Sequence, residues 1–294
     1  MNRRLLLGAG VSAGLAGFAG LTRVSYAGAR SYAGTILHFR PPASNYQLVR
    51  AGRIVPVSTF MVLEPADELR VVGPAASLTI KDGDLPAITL LGGNQPYVVK
   101  GRRRPSLWGN SIAILLGKLR AEDSGLPIDG GSRGDELTLP FADLVARNAI
   151  LDSRIGPFFA AWNGGAPPYR FLLRAVDGPP HIDERNLNSG RLAITSRSVR
   201  LRPGAHVMEV QDGQGAVVSG LFEVRPAVAT VVPRDQDIAD AIRLHEATSM
   251  AIEQPSRRFE AFQRLAALRD RRPEAATLAD WLAAGGVLPA GVSP

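Results

Sequence analysis

The sequence predicts a mainly β protein that consists of two small β domains in series and a short α-helical C-terminal segment. Two observations lead to this fold class. Short runs of alternating or β-branched residues recur between turn signals from about residue 34 to residue 226. After Pro233 the apolar residues recur instead at the three- and four-residue spacing of helices. A length of 294 residues leaves room for two or three domains.

The net charge of +7 comes from the N-terminal part of the chain. Residues 1–63 hold seven arginines and no acidic residue, which leaves 27 basic and 27 acidic residues in the remainder. Proteins that bind nucleic acid concentrate positive charge on one surface. In the neutral body only Arg102–Arg104 forms a basic run, and we interpret it as a solvated loop. We therefore expect no nucleic-acid partner.

The first 29 residues have the layout of an export signal. Arg3 and Arg4 form a short basic region, and the uncharged stretch Leu5–Leu21 follows. Ala27 and Ala29 then form the A-x-A pattern that signal peptidase cleaves. The arginine pair followed by three leucines also resembles the twin-arginine export motif. We therefore expect a protein that is periplasmic or otherwise exported.

An uncleaved membrane anchor is the alternative interpretation of this signal. A membrane span needs about 20 apolar residues. The many glycines of Leu5–Leu21 make stable anchoring less favourable. Contact with the membrane is therefore expected only through an uncleaved signal, if at all.

Two motifs in the signal match catalytic or cofactor patterns without their context. Gly8–Ala13 matches the G-x-G-x-x-A pattern of dinucleotide-binding domains, but no acidic residue precedes Glu64 to bind a ribose. Gly10–Gly14 matches the G-x-S-x-G nucleophile elbow, which requires a strand, a turn and a helix inside an α/β sheet. We reject both interpretations.

Residues 34–120 are expected to form the first β domain. The expected strands are Arg53–Val57, Thr59–Leu63, Leu69–Val72, Ser77–Lys81, Ile88–Leu91 and Tyr97–Lys100. Lys81–Asp84 contains an Asp-Gly pair, which tolerates the backbone conformation of a hairpin turn. Residues 121–154 are expected to be a linker with a short helix within Pro140–Asn148.

The order of four segments in this region resembles the periplasmic domain of the FecR family. The segments are Val55–Phe60, Asp67–Val72, Ala75–Asp84 and Tyr97–Val99. The family has a G-D-x-L segment before a strand that ends in Asp-Gly, and here Asp67–Leu69 lacks the glycine. The resemblance implies a small β domain used in cell-envelope interactions. It does not imply the family's signalling role, because only Met1–Arg4 precede the apolar stretch.

Residues 155–226 are expected to form the second β domain. Its expected strands are Phe158–Trp162, Tyr169–Ala175, Leu192–Ile194, Ser198–Leu201, His206–Asp212 and Val217–Val224. Trp162–Tyr169 and Arg202–Gly215 resemble motifs of bacterial immunoglobulin-like and fibronectin-like β-sandwiches. His206 occupies the place where those motifs usually have tyrosine. We expect Phe158, Trp162 and Tyr169 to pack in the core of this sandwich.

Residues 234–286 are expected to form two or three amphipathic helices. Asp235 and Asp237 lie in the first turn of the first helix, and Ser256 is expected to cap the second. Pro273 opens the third helix, which ends before Gly285.

The apolar face of these helices has two interpretations. Phe259, Phe262, Leu265 and Trp281 could bind a partner protein. They could equally pack on the sandwich, because an apolar helix face usually belongs to a core. The sequence leaves both alternatives open.

No pattern of catalytic or metal-binding residues stands out. The four histidines are His38, His181, His206 and His245, and no two of them have metal-ligand spacing. His181 and Asp183 are the best candidates for acid–base chemistry, because strand alternation would place them on one face. Glycine and proline bound this stretch, so we expect an exposed polar loop. We predict no catalytic residue, no cofactor and no metal ion.

The function that these features favour is an exported, non-enzymatic binding or scaffold protein with a protein partner in the cell envelope. The alternative is an exported hydrolase or glycan-binding protein that acts on envelope polymers. A cleft that gathers His181, Asp183 and a serine or arginine would favour the hydrolase.

Overall fold

The computed structural model describes residues 33–83, 85–100, 136–227 and 233–286. The chain divides between Arg30 and Ser31, and all described residues belong to the second unit. The strands of the first β domain are β1 (Gly34–Phe39), β2 (Tyr46–Arg50), β3 (Arg53–Val55), β4 (Val62–Leu63), β5 (Glu68–Val71), β6 (Ser77–Asp82), β7 (Ile88–Leu91) and β8 (Tyr97–Val98). A strand is observed in each of the six expected stretches, although only Val62–Leu63 of Thr59–Leu63 and Tyr97–Val98 of Tyr97–Lys100 are in strands. Strands β1 and β2 are additional.

Two four-stranded antiparallel sheets enclose the core of this domain. Their strand orders are β4-β1-β6-β7 and β3-β2-β5-β8. Ile36 and Leu78 from one sheet share a buried cluster with Leu48 and Leu69 from the other. Alternate residues of a strand point to opposite faces, so one face of each sheet supplies this core. Gly83 has a φ of 55° after β6, which fits the expected turn, while Asp84 lies outside the described residues.

The second β domain is a sandwich of a large and a small sheet. Its strands are β9 (Ala149–Asp152), β10 (Arg154–Ala161), β11 (Tyr169–Ala175), β12 (Pro180–Leu187), β13 (Arg191–Leu201), β14 (Gly204–Gln211) and β15 (Val217–Arg225). The large sheet has the order β12-β11-β14-β15-β9, and β10 pairs with β13 in the small one. All pairings are antiparallel except that β9 runs parallel to β15.

The structure corrects three local expectations in this domain. Helix α1 (Ala142–Val145) lies where the short linker helix was expected, but the neighbouring residues 149–152 form β9 and belong to the sandwich. The stretch with His181 and Asp183 is strand β12, because β11 pairs with it, and is not a loop. Residues 191–201 form one continuous strand with an irregular register, not two strands.

The aromatic residues expected in the sandwich core are buried there. Phe158 and Trp162 are each 1% exposed, and Tyr169 is 8% exposed. The Trp162 ring stacks on Phe171 with centroids 6.1 Å apart and meets Tyr169 edge-on at 5.5 Å. Aromatic pairs in such offset or edge-on arrangements stabilise a core beyond the area they bury.

Three helices follow the sandwich: α2 (Gln236–Glu253), α3 (Arg258–Ala266) and α4 (Pro273–Ala283). Asp235, expected in the first turn of this helix, is its N-cap residue, and its carboxylate accepts hydrogen bonds from the backbone N–H groups of Asp237 and Ile238. A 3-10 turn, Pro255–Arg257, precedes α3. The expectation that Ser256 caps α3 is wrong. Ser256 lies within this turn, and the N-cap residue of α3 is Arg257, whose side chain makes no capping hydrogen bond. None of the helices in the described residues is long and apolar enough to cross a membrane.

Candidate functional site

The four side chains proposed as a partner surface lie inside the protein. Phe259 and Leu265 are 0% exposed, Phe262 is 5% exposed and Trp281 is 7% exposed. All four belong to the cluster that forms the sandwich core. The structure therefore corrects the partner-binding interpretation of these residues. It favours the alternative in which the helices dock on the sandwich, because buried side chains are not accessible to a partner.

Phe259 is at the centre of this shared core. Its ring lies 5.1 Å from Phe141, 6.1 Å from Phe158 and 5.9 Å from Phe222. These neighbours come from the segment before α1, from the small sheet and from the large sheet. Helix α3 therefore contributes a side chain to the core that the two sheets share.

Two polar side chains from outside the tail bind the ends of tail helices. Asp143 accepts a hydrogen bond of 3.2 Å from the backbone N–H of Phe259 in the first turn of α3. Arg191 donates to the carbonyl of Ala283 at the end of α4, over 3.2 Å. Positive groups at a helix C-terminus and negative groups at an N-terminus favour the helix dipole. These contacts satisfy backbone groups that every helix end leaves free.

Gln263 connects the middle of α3 to the free edge of strand β10. Its Oε1 accepts from the N–H of Phe159 over 3.1 Å, and its Nε2 donates to the carbonyl of the same residue. Strand β10 pairs with β13 on its other side. The glutamine side chain therefore occupies the place that a further strand would take at this sheet edge.

A network of ion pairs surrounds the first turns of α3. Glu260 is 1% exposed and binds Arg154 and Arg264. Asp152 binds Arg257 and Arg264. Burial lowers the pKa of Arg154 to about 10, and the nearby Arg264 adds to this effect. Breaking one partner of such a pair leaves an unpaired charge in a water-poor site, so the network fixes how α3 docks.

Helix α2 lies between the first β domain and helix α3 of the sandwich core. It packs on α3 and also on β1 of the first domain. Arg40, just after β1, forms an ion pair of 2.7 Å with Asp235 at the start of α2. Phe60 of the first domain belongs to the same buried cluster as the sandwich and the tail. We refer to the contact of α2 with the β1–β6 side of the first domain as the seam.

The structure does not join His181 and Asp183 into a catalytic pair. His181 stacks on His206, with ring centroids 5.5 Å apart, and His206 stacks on the buried Phe222. The carboxylate of Asp183 accepts hydrogen bonds from Arg170 and Arg185. Side-chain hydrogen bonds from these two arginines lower the pKa of Asp183. Its oxygens therefore hold strands β11 and β12 together.

A groove of about 330 Å³ opens at one end of the large sheet. It is lined by Pro168, Tyr169, Arg170, Arg185, Asn186, Gln211, Asp212, Gly213 and Gly215. The carboxylate of Asp212 accepts from the N–H groups of Ala166, Gln214 and Ala216, and hydrogen bonds from Ala166 and the turn keep its pKa low. The carboxylate thus holds the turn. The remaining amide and guanidinium groups of the lining could donate hydrogen bonds to a polar ligand.

Several predicted residues have no described position. Arg3, Arg4, Ala27 and Ala29 of the export signal lie outside the described residues, as do Arg102–Arg104. In the described ranges no group of three or more histidine and acidic side chains could hold a metal ion.

The comparisons with known proteins do not add a functional assignment. No protein-family model, curated protein or solved structure matches the chain.

Proposed function

We propose that the protein is an exported, non-enzymatic scaffold of the cell envelope that makes protein–protein contacts. The observation that carries this proposal is the double contact of α2, which packs on β1 of the first domain and on α3 of the sandwich core. A helix in this position holds the outer surfaces of two β domains in a fixed relation. A fixed pair of surfaces suits a scaffold, because preorganised partners lose less conformational freedom on binding.

The strand order supports the proposal that the second domain is immunoglobulin-like. Consecutive strands β10 and β11 lie in different sheets, and so do β13 and β14. Such crossings between two antiparallel sheets are typical of Greek-key sandwiches. The motif Trp162–Tyr169 has a structural task in this domain, since the Tyr169 hydroxyl donates to the carbonyls of Gly164 and Gly165.

The proposal that the first domain is FecR-like rests on the structural roles of its motif residues. Asp67 of the Asp67–Leu69 segment is 2% exposed. Its carboxylate binds Arg50 and accepts from the N–H of Glu64. An aspartate in this position fixes the turn between β4 and β5, which explains why a motif would include it.

The structural contacts of four acidic groups support a binding protein over a hydrolase. Asp143 caps a helix, Asp183 bridges two arginines, Asp212 holds a turn and Glu260 is the centre of an ion-pair network. A general acid or base must instead reach a proton of the substrate. These four carboxylates are committed to structural contacts.

The first test is export. The protein is expressed with a C-terminal tag in a bacterial host, the cells are fractionated and the mature N-terminus is sequenced. We expect a product in the envelope fraction that begins after Ala29. A full-length product confined to the cytoplasm would contradict the proposal, and Arg3→Lys with Arg4→Lys tests the twin-arginine route.

The second test is photo-crosslinking in intact cells. A photoreactive amino acid replaces exposed apolar residues on the two β domains, Ile54, Ile155 and Val217, and exposed Asp270 in the tail. We expect a stoichiometric adduct with one envelope protein at some of these positions. The same substitution at Asp177, an exposed polar residue, is the control. An exported monomer without an adduct at any position would argue against the scaffold.

The groove favours a second candidate function, the binding of a polar envelope polymer. Arg170 and Arg185 lie on its wall beside the amides of Asn186 and Gln211. Titration of the protein with envelope glycan fragments, followed by nuclear magnetic resonance, tests this. Shifts confined to groove residues that disappear in Asn186→Ala and Gln211→Ala would support it, and the absence of shifts would exclude it.

A further inference from the structure

The seam contains two histidines that lie on opposite sides of it. His38 belongs to β1 of the first domain, and His245 belongs to α2 of the tail. His245 is 7% exposed, and its buried Nε2 atom has no hydrogen-bond partner. A buried polar atom without a partner lowers the stability of the fold, and a leucine of similar size at this position would avoid that cost.

Each histidine lies near a cation that the other side of the seam supplies. His245 of the tail is near Lys81 of the first domain. Among the described residues, Lys81 is the charged group whose field lowers the pKa of this ring. His38 of the first domain is near Arg272 of the tail. Lys81 lies on β6, opposite Thr35 of β1, so both contacts involve the same sheet.

The groups around His38 have mixed charges. Burial is the largest effect and lowers the pKa of His38, and Arg272 and Arg40 lower it further. Asp237 and Asp235 act in the opposite direction. Asp235 is itself bound to Arg40 over 2.7 Å, and Arg272 lies 4.0 Å from Asp237. The positive and negative groups therefore offset each other in part, and burial decides the direction.

We propose that the seam is an acid-sensitive latch between the two β domains, in which protonation of His245 and His38 releases α2 from the first domain. The open seam would expose both rings, Lys81 and Arg272 to water. Proton binding would place like charges across the closed seam, whereas the open seam would separate and solvate them.

The direction of the effect follows from the two rings in the closed seam. Burial, followed by Lys81, lowers the pKa of His245 to about 4, and the pKa of His38 also lies below 6.5. The closed seam therefore binds fewer protons than the open seam between about pH 4 and pH 6.5. Acid shifts the equilibrium towards the form that binds more protons, which is the open one.

Opening the seam would break some buried contacts of α2 and leave others in place. Leu37 on β1 and Ile238 on α2 are buried, yet neither belongs to the core cluster of either domain. Leu244 and Met250 keep α2 in the core of the sandwich and tail. Phe60 is the anchor that the first domain inserts into that core, and it opposes opening. Opening is therefore expected as a separation of domains, with α2 remaining on the sandwich.

The chain has no cysteine, so two labels can be placed without removing native residues of that type. Gln95→Cys on the first domain and Ser219→Cys on the sandwich lie at exposed positions. Spin labels at these two sites report the distance between the domains by pulsed electron paramagnetic resonance. We expect one narrow distance distribution at pH 7.5 and a longer, broader one near pH 4.5, reversible on return to pH 7.5.

The variants assign the effect to the two histidines. His245→Leu keeps the side-chain volume without a titrating group, and we expect it to move the midpoint of opening down by about 1 pH unit or more. His38→Gln should move it in the same direction by less, because acidic groups already favour protonation there. His181→Gln, on the sandwich, is the control and should leave the midpoint unchanged. If His245→Leu fails to fold, His38→Gln and the midpoint of the parent protein still test the latch.

Three results would overturn the latch. The distance could stay the same between pH 7.5 and pH 4.5. The seam could open at the same pH in His245→Leu and in the parent protein. The near-ultraviolet circular dichroism of the sandwich could disappear at the pH where the distance changes, which would mean global unfolding in acid. The result that supports the latch is opening with the dichroism of the sandwich retained.

Discussion

The carboxylate oxygen Oδ2 of Asp143 accepts a hydrogen bond of 3.2 Å from the backbone N–H of Phe259, 116 positions further along the chain. Helix α3 begins at Arg258, so Asp143 supplies from α1 the acceptor that an N-cap residue normally provides. Burial raises the pKa of Asp143, although the hydrogen bond from Phe259 acts in the opposite direction. This contact explains why α3 needs no cap from Ser256.

Asp143→Ala should lower the free energy of unfolding by about 1–2 kcal/mol, because it leaves a buried N–H at the start of α3 without an acceptor. Asp143→Asn keeps an acceptor oxygen and removes a buried charge, so its loss should be smaller. Urea denaturation at pH 7 measures both, with Asp177→Ala at an exposed position as the control. Equal stability of Asp143→Ala and the parent protein would contradict the assignment of the cap.

Gln263→Leu should destabilise the protein by about 2–4 kcal/mol, because both the N–H and the carbonyl of Phe159 lose their buried partner. The leucine has a similar size and would remain in the apolar core, so lost packing contributes little. Gln214→Leu in an exposed turn is the matched control and should change little. If both variants unfold at the same urea concentration as the parent, the side chain does not close the edge of β10.

The sequence was sufficient to predict the mainly β class, the helical tail and most strands, because each depends on local periodicity. It was not sufficient for β9, because this four-residue strand forms by pairing in parallel with β15, which lies far along the chain. It also missed β12, whose polar side chains fit a loop as well as they fit an edge strand. Edge strands carry charged residues because those residues discourage pairing with other chains.

The roles of the tail residues also depend on contacts with distant parts of the chain, which local periodicity does not reveal. The periodicity of Phe259, Phe262 and Leu265 indicates an apolar face, but it does not say whether that face meets a partner or the same chain. One signal was present and overlooked: Gln263 lies between Phe262 and Leu265 in the buried part of α3. A polar residue in that place requires a specific partner inside the protein.

His206 should make the stability of the sandwich depend on pH. Burial lowers the pKa of His206, the carbonyl of Gly204 partly opposes this, and His181 adds to the lowering. The unfolded chain therefore binds more protons than the folded one, so the free energy of unfolding should fall as the pH drops below 6.5. His206→Phe keeps a ring to stack on Phe222 and should show a weaker loss between pH 7.5 and pH 5.5.

Urea denaturation at the two pH values gives this difference for each protein. The comparison concerns the change with pH, because His206→Phe also loses the contact of Nδ1 with the Gly204 carbonyl and is expected to be less stable at both. Titration of the imidazole signals by nuclear magnetic resonance provides the pKa of His206 directly. A value at or above 6.5, or an unchanged pH dependence in the variant, would rule out this contribution.

Gly165 is required both by its backbone conformation and by the crowding around it. Its φ is 71°, and an added Cβ atom would lie 3.0 Å from Leu137 and 3.1 Å from Asp212. Gly215 has a φ of 89° but no atom within 4 Å of an added Cβ. Gly156 has an open position and no positive φ. These glycines therefore separate the two costs of adding a methyl group.

Alanine at these three positions should destabilise the protein in a fixed order. Gly156→Ala should have little effect, and Gly215→Ala should cost about 1 kcal/mol through its left-handed conformation. Gly165→Ala should cost more than Gly215→Ala, because it adds close contacts with Leu137 and with the carboxylate that holds the Asp212 turn. Thermal and urea denaturation of the three variants gives the order directly. An equal or smaller loss of stability in Gly165→Ala than in Gly215→Ala would show that close contacts do not require glycine at position 165. The positive φ of the turn would then be the reason for that glycine.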